Sequence, residues 1–209
     1  MKRLIGLIGL FAALLFAVSA GAADIPPPDV LVKNVTNEVL DIVRKDKEIQ
    51  SGNTKKTLDL VETKVLPHFN FPRMTQLALG RDGRQASPEQ MKVLVEEFRD
   101  LLVRTYSKAL TEFRDQQIAF KPFKMEAADT DVKVRTEIKQ TGGKGIPLDY
   151  YLEKTAAGWK VYDLEVAGAS LVTNYRSTFA QEIRANGVDG LIRSLQAKNK
   201  HPEIPVKAK

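Results

Sequence analysis

The sequence predicts a single α+β domain of N-terminal helices, a four-stranded antiparallel sheet and C-terminal helices. Three observations predict it. Apolar residues recur every three or four positions from Leu31 to Phe113, they alternate with charged ones between Ile118 and Val166, and helical spacing returns from Leu171 onward. No internal repeat or low-complexity linker divides the chain.

The elements follow in order. Lys2 and Arg3 precede an almost unbroken apolar run from Leu4 to Val18, and Ser19-Ala20-Gly21-Ala22 offers the small residues of a signal-peptidase site. Residues 1–22 are expected to form a secretory signal peptide cut after Ala22, since a retained membrane anchor needs about 20 apolar residues. No cysteine follows to carry a lipoprotein anchor, and no later stretch reaches spanning length, so the mature chain is expected to be soluble. Cleavage leaves 187 of 209 residues, enough for one sizeable core over residues 23–200, with a loose tail at 201–209.

Pro26-Pro27-Pro28 stiffens the new N-terminus. Leu31, Val35, Val39, Ile42 and Val43 then mark a first helix, broken at Ser51-Gly52-Asn53, and Leu58, Val61 and Val65 a second, stopped before Pro67. Pro72 opens a third short helix, with Gly80 at its end. Ser87-Pro88-Glu89-Gln90 is a capping box with proline at the first helical position, and the helix it starts is expected to run to about Phe113. Ile118, Phe120 and Phe123 mark a first strand, interrupted at Pro122. Val132, Val134, Thr136 and Ile138 alternate with Lys133, Arg135, Glu137 and Lys139 as a half-buried second strand, and a glycine-rich turn leads to a third through Leu152. The fourth strand spans Trp159 to Val166. Leu171, Tyr175, Phe179 and Ile183 mark a helix ending at Asn186-Gly187, and Leu191, Ile192 and Leu195 a last one.

Composition excludes several function classes. There is no cysteine, hence no disulfide scaffold, thiol nucleophile or cysteine-based zinc site. The net charge of +6 falls to +4 once Lys2 and Arg3 leave, and signs alternate along the helices, as in Arg44-Lys45-Asp46-Lys47-Glu48. Nucleic-acid binding needs a basic stripe and a motif, and neither is present. Of the two histidines, His201 lies in the tail and His68 in a helix connector. Gly168-Ala169-Ser170 lacks the final glycine of a nucleophile elbow, Val172 standing there instead, and Ser170 reads as a helix cap. Asp129-Thr130-Asp131 lacks the glycine and distal glutamate of a calcium loop. No catalytic residue, metal site or cofactor is expected.

The run Phe69-Asn70-Phe71-Pro72-Arg73-Met74-Thr75-Gln76-Leu77-Ala78-Leu79-Gly80-Arg81 resembles the MlaC, or toluene-tolerance, family. The similarity continues through Ser87-Pro88-Glu89-Gln90 and Phe98 to Tyr106. It is densest in Pro147-Leu148-Asp149-Tyr150-Tyr151-Leu152 and Gly158-Trp159-Lys160-Val161-Tyr162-Asp163-Leu164, and extends through Gly168 to Arg176 and Gly190-Leu191-Ile192. Two departures stand out: Asp82-Gly83 where the family has aromatic residues, and Asn70 where it has aspartate. The resemblance implies a cone similar to the nuclear-transport-factor superfamily, enclosing an apolar pocket for lipid tails. It implies a periplasmic carrier that passes diacyl phospholipid between an outer-membrane lipoprotein–porin complex and the MCE-domain subunit of an inner-membrane ABC transporter. That role keeps phospholipid out of the outer leaflet, with phosphatidylethanolamine the expected cargo.

On that reading the helices contribute Phe71, Met74, Leu77, Phe98, Leu102 and Tyr106 to the pocket. The sheet contributes Leu148, Tyr150, Tyr162, Leu164 and Val166, and the last connection Val172 and Tyr175. Arg104 or Arg176 meets the lipid phosphate at the rim. The competing reading is an isomerase or dehydratase using Asp163 beside Tyr162. Strand alternation opposes it, because neighbouring side chains point to opposite faces.

Overall fold

The computed structural model describes residues 25–113, 115–140 and 142–200; the expected signal peptide and tail lie outside these. The first half is helical. α1 (Pro28–Lys45) starts at the proline run, and α2 (Lys47–Gln50) and α3 (Thr54–Leu60) fold back beside it. Beyond Leu60 the helix loosens into a π turn, Val61–Val65, and then a 3-10 turn, Leu66–His68. Pro67 explains the change: it has no N–H to continue an α-helix, and the Leu66 N–H reaches back to the Val61 carbonyl.

α4 (Phe71–Leu79) is N-capped by Asn70, whose Oδ1 accepts the Arg73 N–H at 3.1 Å. Its other amide group donates to Glu153 on the sheet, so one asparagine both starts the helix and ties it down. α5 (Pro88–Tyr106) carries the anticipated capping box. It does not run unbroken to Phe113: the helix pauses at Ser107 and resumes as a single turn, α6 (Lys108–Thr111).

The sheet is an antiparallel meander of five strands, not four: β1 (Gln117–Phe120), β2 (Asp131–Lys139), β3 (Ile146–Thr155), β4 (Gly158–Val166) and β5 (Ala169–Ser170). Two residues are too short to leave an alternation signal, which is why β5 reads as loop in the sequence. Register puts Val132 opposite Leu152, Val134 opposite Tyr150 and Tyr150 opposite Leu164, so these side chains share a face. α1 covers that face through Leu31 and Val32. Asp131, Lys133, Tyr151 and Glu153 alternate onto the other.

A bulge in β4 interrupts this rule. Tyr151 pairs with Asp163 but Leu152 pairs with Val161, leaving Tyr162 as the extra residue. Beyond the sheet, Leu171 lies in the connection to a 3-10 turn (Thr173–Tyr175), so neither it nor Tyr175 belongs to the helix that their spacing with Phe179 and Ile183 suggests. α7 (Arg176–Lys200) follows and is kinked at Gly187, whose φ of 69° and ψ of −178° leave the helical region. The two expected C-terminal helices meet there.

The buried apolar residues fall into three clusters. Phe71, Met74, Leu94, Phe98 and Leu102 join residues of α7, while Val132, Val134, Leu152, Trp159 and Val161 join α1 to the sheet. Val39, Val43, Ile49 and Leu60 close the N-terminal helices on themselves. Phe69 touches the first two, and its backbone pairs with Val161 alongside β4.

Candidate ligand cavity

Where the three clusters meet they do not fill the space. A cavity of about 210 Å³ remains, lined by thirteen residues, eleven of them apolar. From the loosened helix come Val61, Val65 and Leu66; from the next connection and α4 come Phe69, Phe71 and Met74. α5 and α6 supply Leu102, Val103, Tyr106 and Leu110, with Ser107 between them, and Leu164 and Leu171 close the sheet side. No charged group lines it. Such a wall is suited to hydrocarbon, because a charge placed there would lose its hydration without gaining a partner.

The placement of Leu171 is controlled from behind. Its N–H donates to the Leu164 carbonyl at 2.8 Å. The buried Asp163 carboxylate accepts the Leu164 N–H at 2.8 Å, the Val172 N–H at 3.2 Å and the Ser170 hydroxyl at 2.5 Å. Burial pushes the Asp163 carboxyl above its ordinary value against the pull of these donors. Ser170 in turn accepts the Thr173 N–H, so it caps the 3-10 turn rather than the helix after it.

Among the residues expected in the pocket, Phe71, Met74, Leu102, Tyr106 and Leu164 line this cavity. Phe98 and Tyr175 lie behind the wall, edge to face at 5.1 Å between ring centres, with Phe179 against both. Val172 is fully buried in the same cluster, and Leu77 packs at its margin. Tyr150 belongs to the cluster between α1 and the sheet. Leu148 and Val166 face each other at a half-buried end of the sheet, away from the cavity wall.

Tyr162 is on the opposite face from Leu164. The bulge turns it to Asp131, to which its hydroxyl donates at 2.7 Å, while the Arg73 guanidinium lies 3.7 Å above its ring. Arg73 also pairs with Asp131 and Glu153. Lys133 bridges Asp149 at 2.7 Å and Glu165 at 3.5 Å on that face. Of the two rim arginines, Arg104 is exposed on α5. Arg176 gives two hydrogen bonds to the Leu77 carbonyl, at 3.1 and 2.9 Å, which fastens α7 to the end of α4.

The lining residues that sequence reasoning missed are Val61, Val65, Leu66, Phe69, Val103, Ser107, Leu110 and Leu171. Periodicity marks Val61, Val65 and Leu171 as inward-facing, but it does not separate a side chain that meets another from one that meets a void. Nothing marked Ser107. Among the described residues no group of three or more His, Asp or Glu side chains is placed to hold a metal ion, and no helix is long and apolar enough to cross a membrane.

An antiparallel meander beside a helical layer, with an apolar-walled cavity at their junction, defines an α+β protein with an apolar pocket. The MlaC protein family model matches residues 33–197, and the chain belongs to that family. It is 30% identical over 215 residues to toluene tolerance protein ttg2D of Pseudomonas putida, covering 97% of each chain. It is 23% identical over 197 residues to the intermembrane phospholipid transport system binding protein MlaC of Haemophilus influenzae, covering 93% of this chain and 92% of that one. Among solved structures, the phospholipid-binding protein of Ralstonia solanacearum, in complex with a phospholipid, aligns with a TM-score of 0.78 and 39% identity. The alignment covers 84% of this chain and 98% of that one.

Proposed function

We propose that this chain is a periplasmic phospholipid carrier without catalytic activity, passing diacyl lipid from an outer-membrane lipoprotein–porin complex to an inner-membrane ABC transporter's MCE-domain subunit, or back. The observation that carries this is the uncharged cavity, in a chain similar over most of its length to a protein solved with phospholipid bound. Two acyl chains bring about thirty methylenes, each worth about 0.8 kcal/mol on leaving water, so a carrier must give them an equally dry enclosure. Phosphatidylethanolamine, abundant in such membranes, is the expected cargo.

Two chains need far more room than 210 Å³; an apolar cavity of about 150 Å³ takes one benzene. Loading therefore requires the walls to part. The π and 3-10 turns of Val61–His68, which supply Val61, Val65 and Leu66 to the wall, lack regular α-helical bonding, and we assign that parting to them. The enzyme reading has weaker support: Asp163 does not line the cavity, and its carboxylate is committed to Ser170 and two backbone amides.

Native mass spectrometry of protein purified without detergent, followed by organic extraction, tests the proposal. Co-purified diacyl phospholipid, or binding of added phospholipid to stripped protein, is the expected result. Failure of both would end the carrier reading.

A further inference from the structure

The cavity has a clamped side and a loosely tied side. α4, which brings Phe71 and Met74, is held at both ends. At its start Glu153 accepts the Asn70 amide at 2.5 Å and the Arg73 guanidinium, and Arg73 also reaches Asp131. At its end Arg176 gives two hydrogen bonds to the Leu77 carbonyl. β4 and the connection after β5, which bring Leu164 and Leu171, are joined through the buried Asp163 carboxylate and its three donors.

The Val61–His68 segment, which brings Val61, Val65 and Leu66, is fastened differently. It continues from α3 at one end. Just past the other, the Asn70 N–H donates to the Val161 carbonyl at 2.8 Å, which pins the chain to β4. Between these points, among the described residues, three polar contacts tie it to parts of the fold distant in the chain. Lys64 pairs with Glu38 of α1 at 2.6 Å, Glu62 stands 3.8 Å from Arg99 of α5, and Lys160 of β4 donates to the Pro67 carbonyl at 2.5 Å. All three lie where water reaches them, so water takes over each contact as it breaks. None of the six residues lines the cavity.

Resting on the carrier reading and on the parting assigned to this segment, we propose that Val61–His68 is a lid latched from outside by Lys160 and the Lys64–Glu38 pair, and that the latch sets the rate of lipid exchange without setting affinity. A contact made whenever the lid is closed, empty or loaded, and lost while it is open raises the barrier equally for entry and for exit. It therefore cancels from the ratio of the two rates. Wall residues act otherwise, because they touch the lipid only in the loaded state.

The test follows a fluorescently labelled phosphatidylethanolamine by stopped flow, entering stripped protein and leaving loaded protein. Lys160→Met keeps the aliphatic stem and removes the donor. Both rates are expected to rise about two- to fivefold, the scale of one exposed polar contact, with Kd unchanged, and Lys160→Arg to restore slow exchange. The converse variant exploits a chain without cysteine. Glu38→Cys with Lys64→Cys, bridged by a short bismaleimide, ties the lid to α1, and exchange is expected to stop. Circular dichroism verifies that each variant is folded. Unchanged rates in Lys160→Met, a loss of affinity in place of the paired rise, or wild-type exchange in the bridged protein would overturn the latch while leaving the carrier intact. If wild type takes up no labelled lipid, the carrier reading itself falls and this inference with it.

Discussion

Filling the cavity should strengthen the protein and weaken its grip on lipid, two effects that ordinary core mutations do not separate. Val61 is the chosen position, being 6% exposed, on the π turn and part of the wall. Val61→Phe adds about 50 Å³ of side chain, and at about 24 cal/mol per Å³ of cavity filled this stabilises the lipid-stripped protein by about 1 kcal/mol. For a chain of this size that is a rise of about 2–4 °C in Tm by calorimetry. The same ring displaces about two methylenes of ligand, each worth about 0.8 kcal/mol, and so weakens lipid binding by roughly tenfold. Opposite signs are the signature. A higher Tm with unchanged lipid affinity would show a real void that is not the lipid site. A lower Tm would show that the void has no room for the ring and would undo the reasoning from cavity volume.

Two further predictions concern the frame around the cavity. Asp163 has its carboxyl raised by burial, so the folded state takes up the proton before the unfolded chain does; wild-type stability should therefore rise relative to Asp163→Asn as pH falls from neutral toward the ordinary value of 3.8. Urea unfolding of both proteins across that range checks it, and a difference that stays flat or falls contradicts the assigned direction. Gly187 occupies φ 69°, ψ −178°, with nothing within 4 Å of an added Cβ, so Gly187→Ala should cost about 1–3 kcal/mol through backbone strain alone. A loss under about 0.5 kcal/mol in chemical denaturation would mean that the kink is not required.

Most of the architecture was legible in the chain. The capping box at Ser87, the proline starts, the alternation of β2 and the glycine at the C-terminal kink are local signals, set by backbone chemistry within a few residues of themselves. The family resemblance, carried by runs such as Gly158 to Leu164, indicated the pocket's chemistry as well. Five of the thirteen lining residues, Phe71, Met74, Leu102, Tyr106 and Leu164, could be named from it.

The rest depended on how distant elements meet. Phe98 and Leu102 lie on one helix face at helical spacing, yet one is closed by Tyr175 and Phe179 while the other faces empty space. Tyr162 and Leu164 are two apart in one strand and fall on opposite faces, because one bulge shifts the period between them. Ser107 looks like any helical serine until the wall around it is seen. The elements, their order and the apolar character of their inner faces are written in the chain, because each follows from short-range backbone preference and hydrophobic period. Which apolar side chains meet a neighbour and which meet a void is settled by packing between distant elements, because a cavity is the space that several of them together fail to fill.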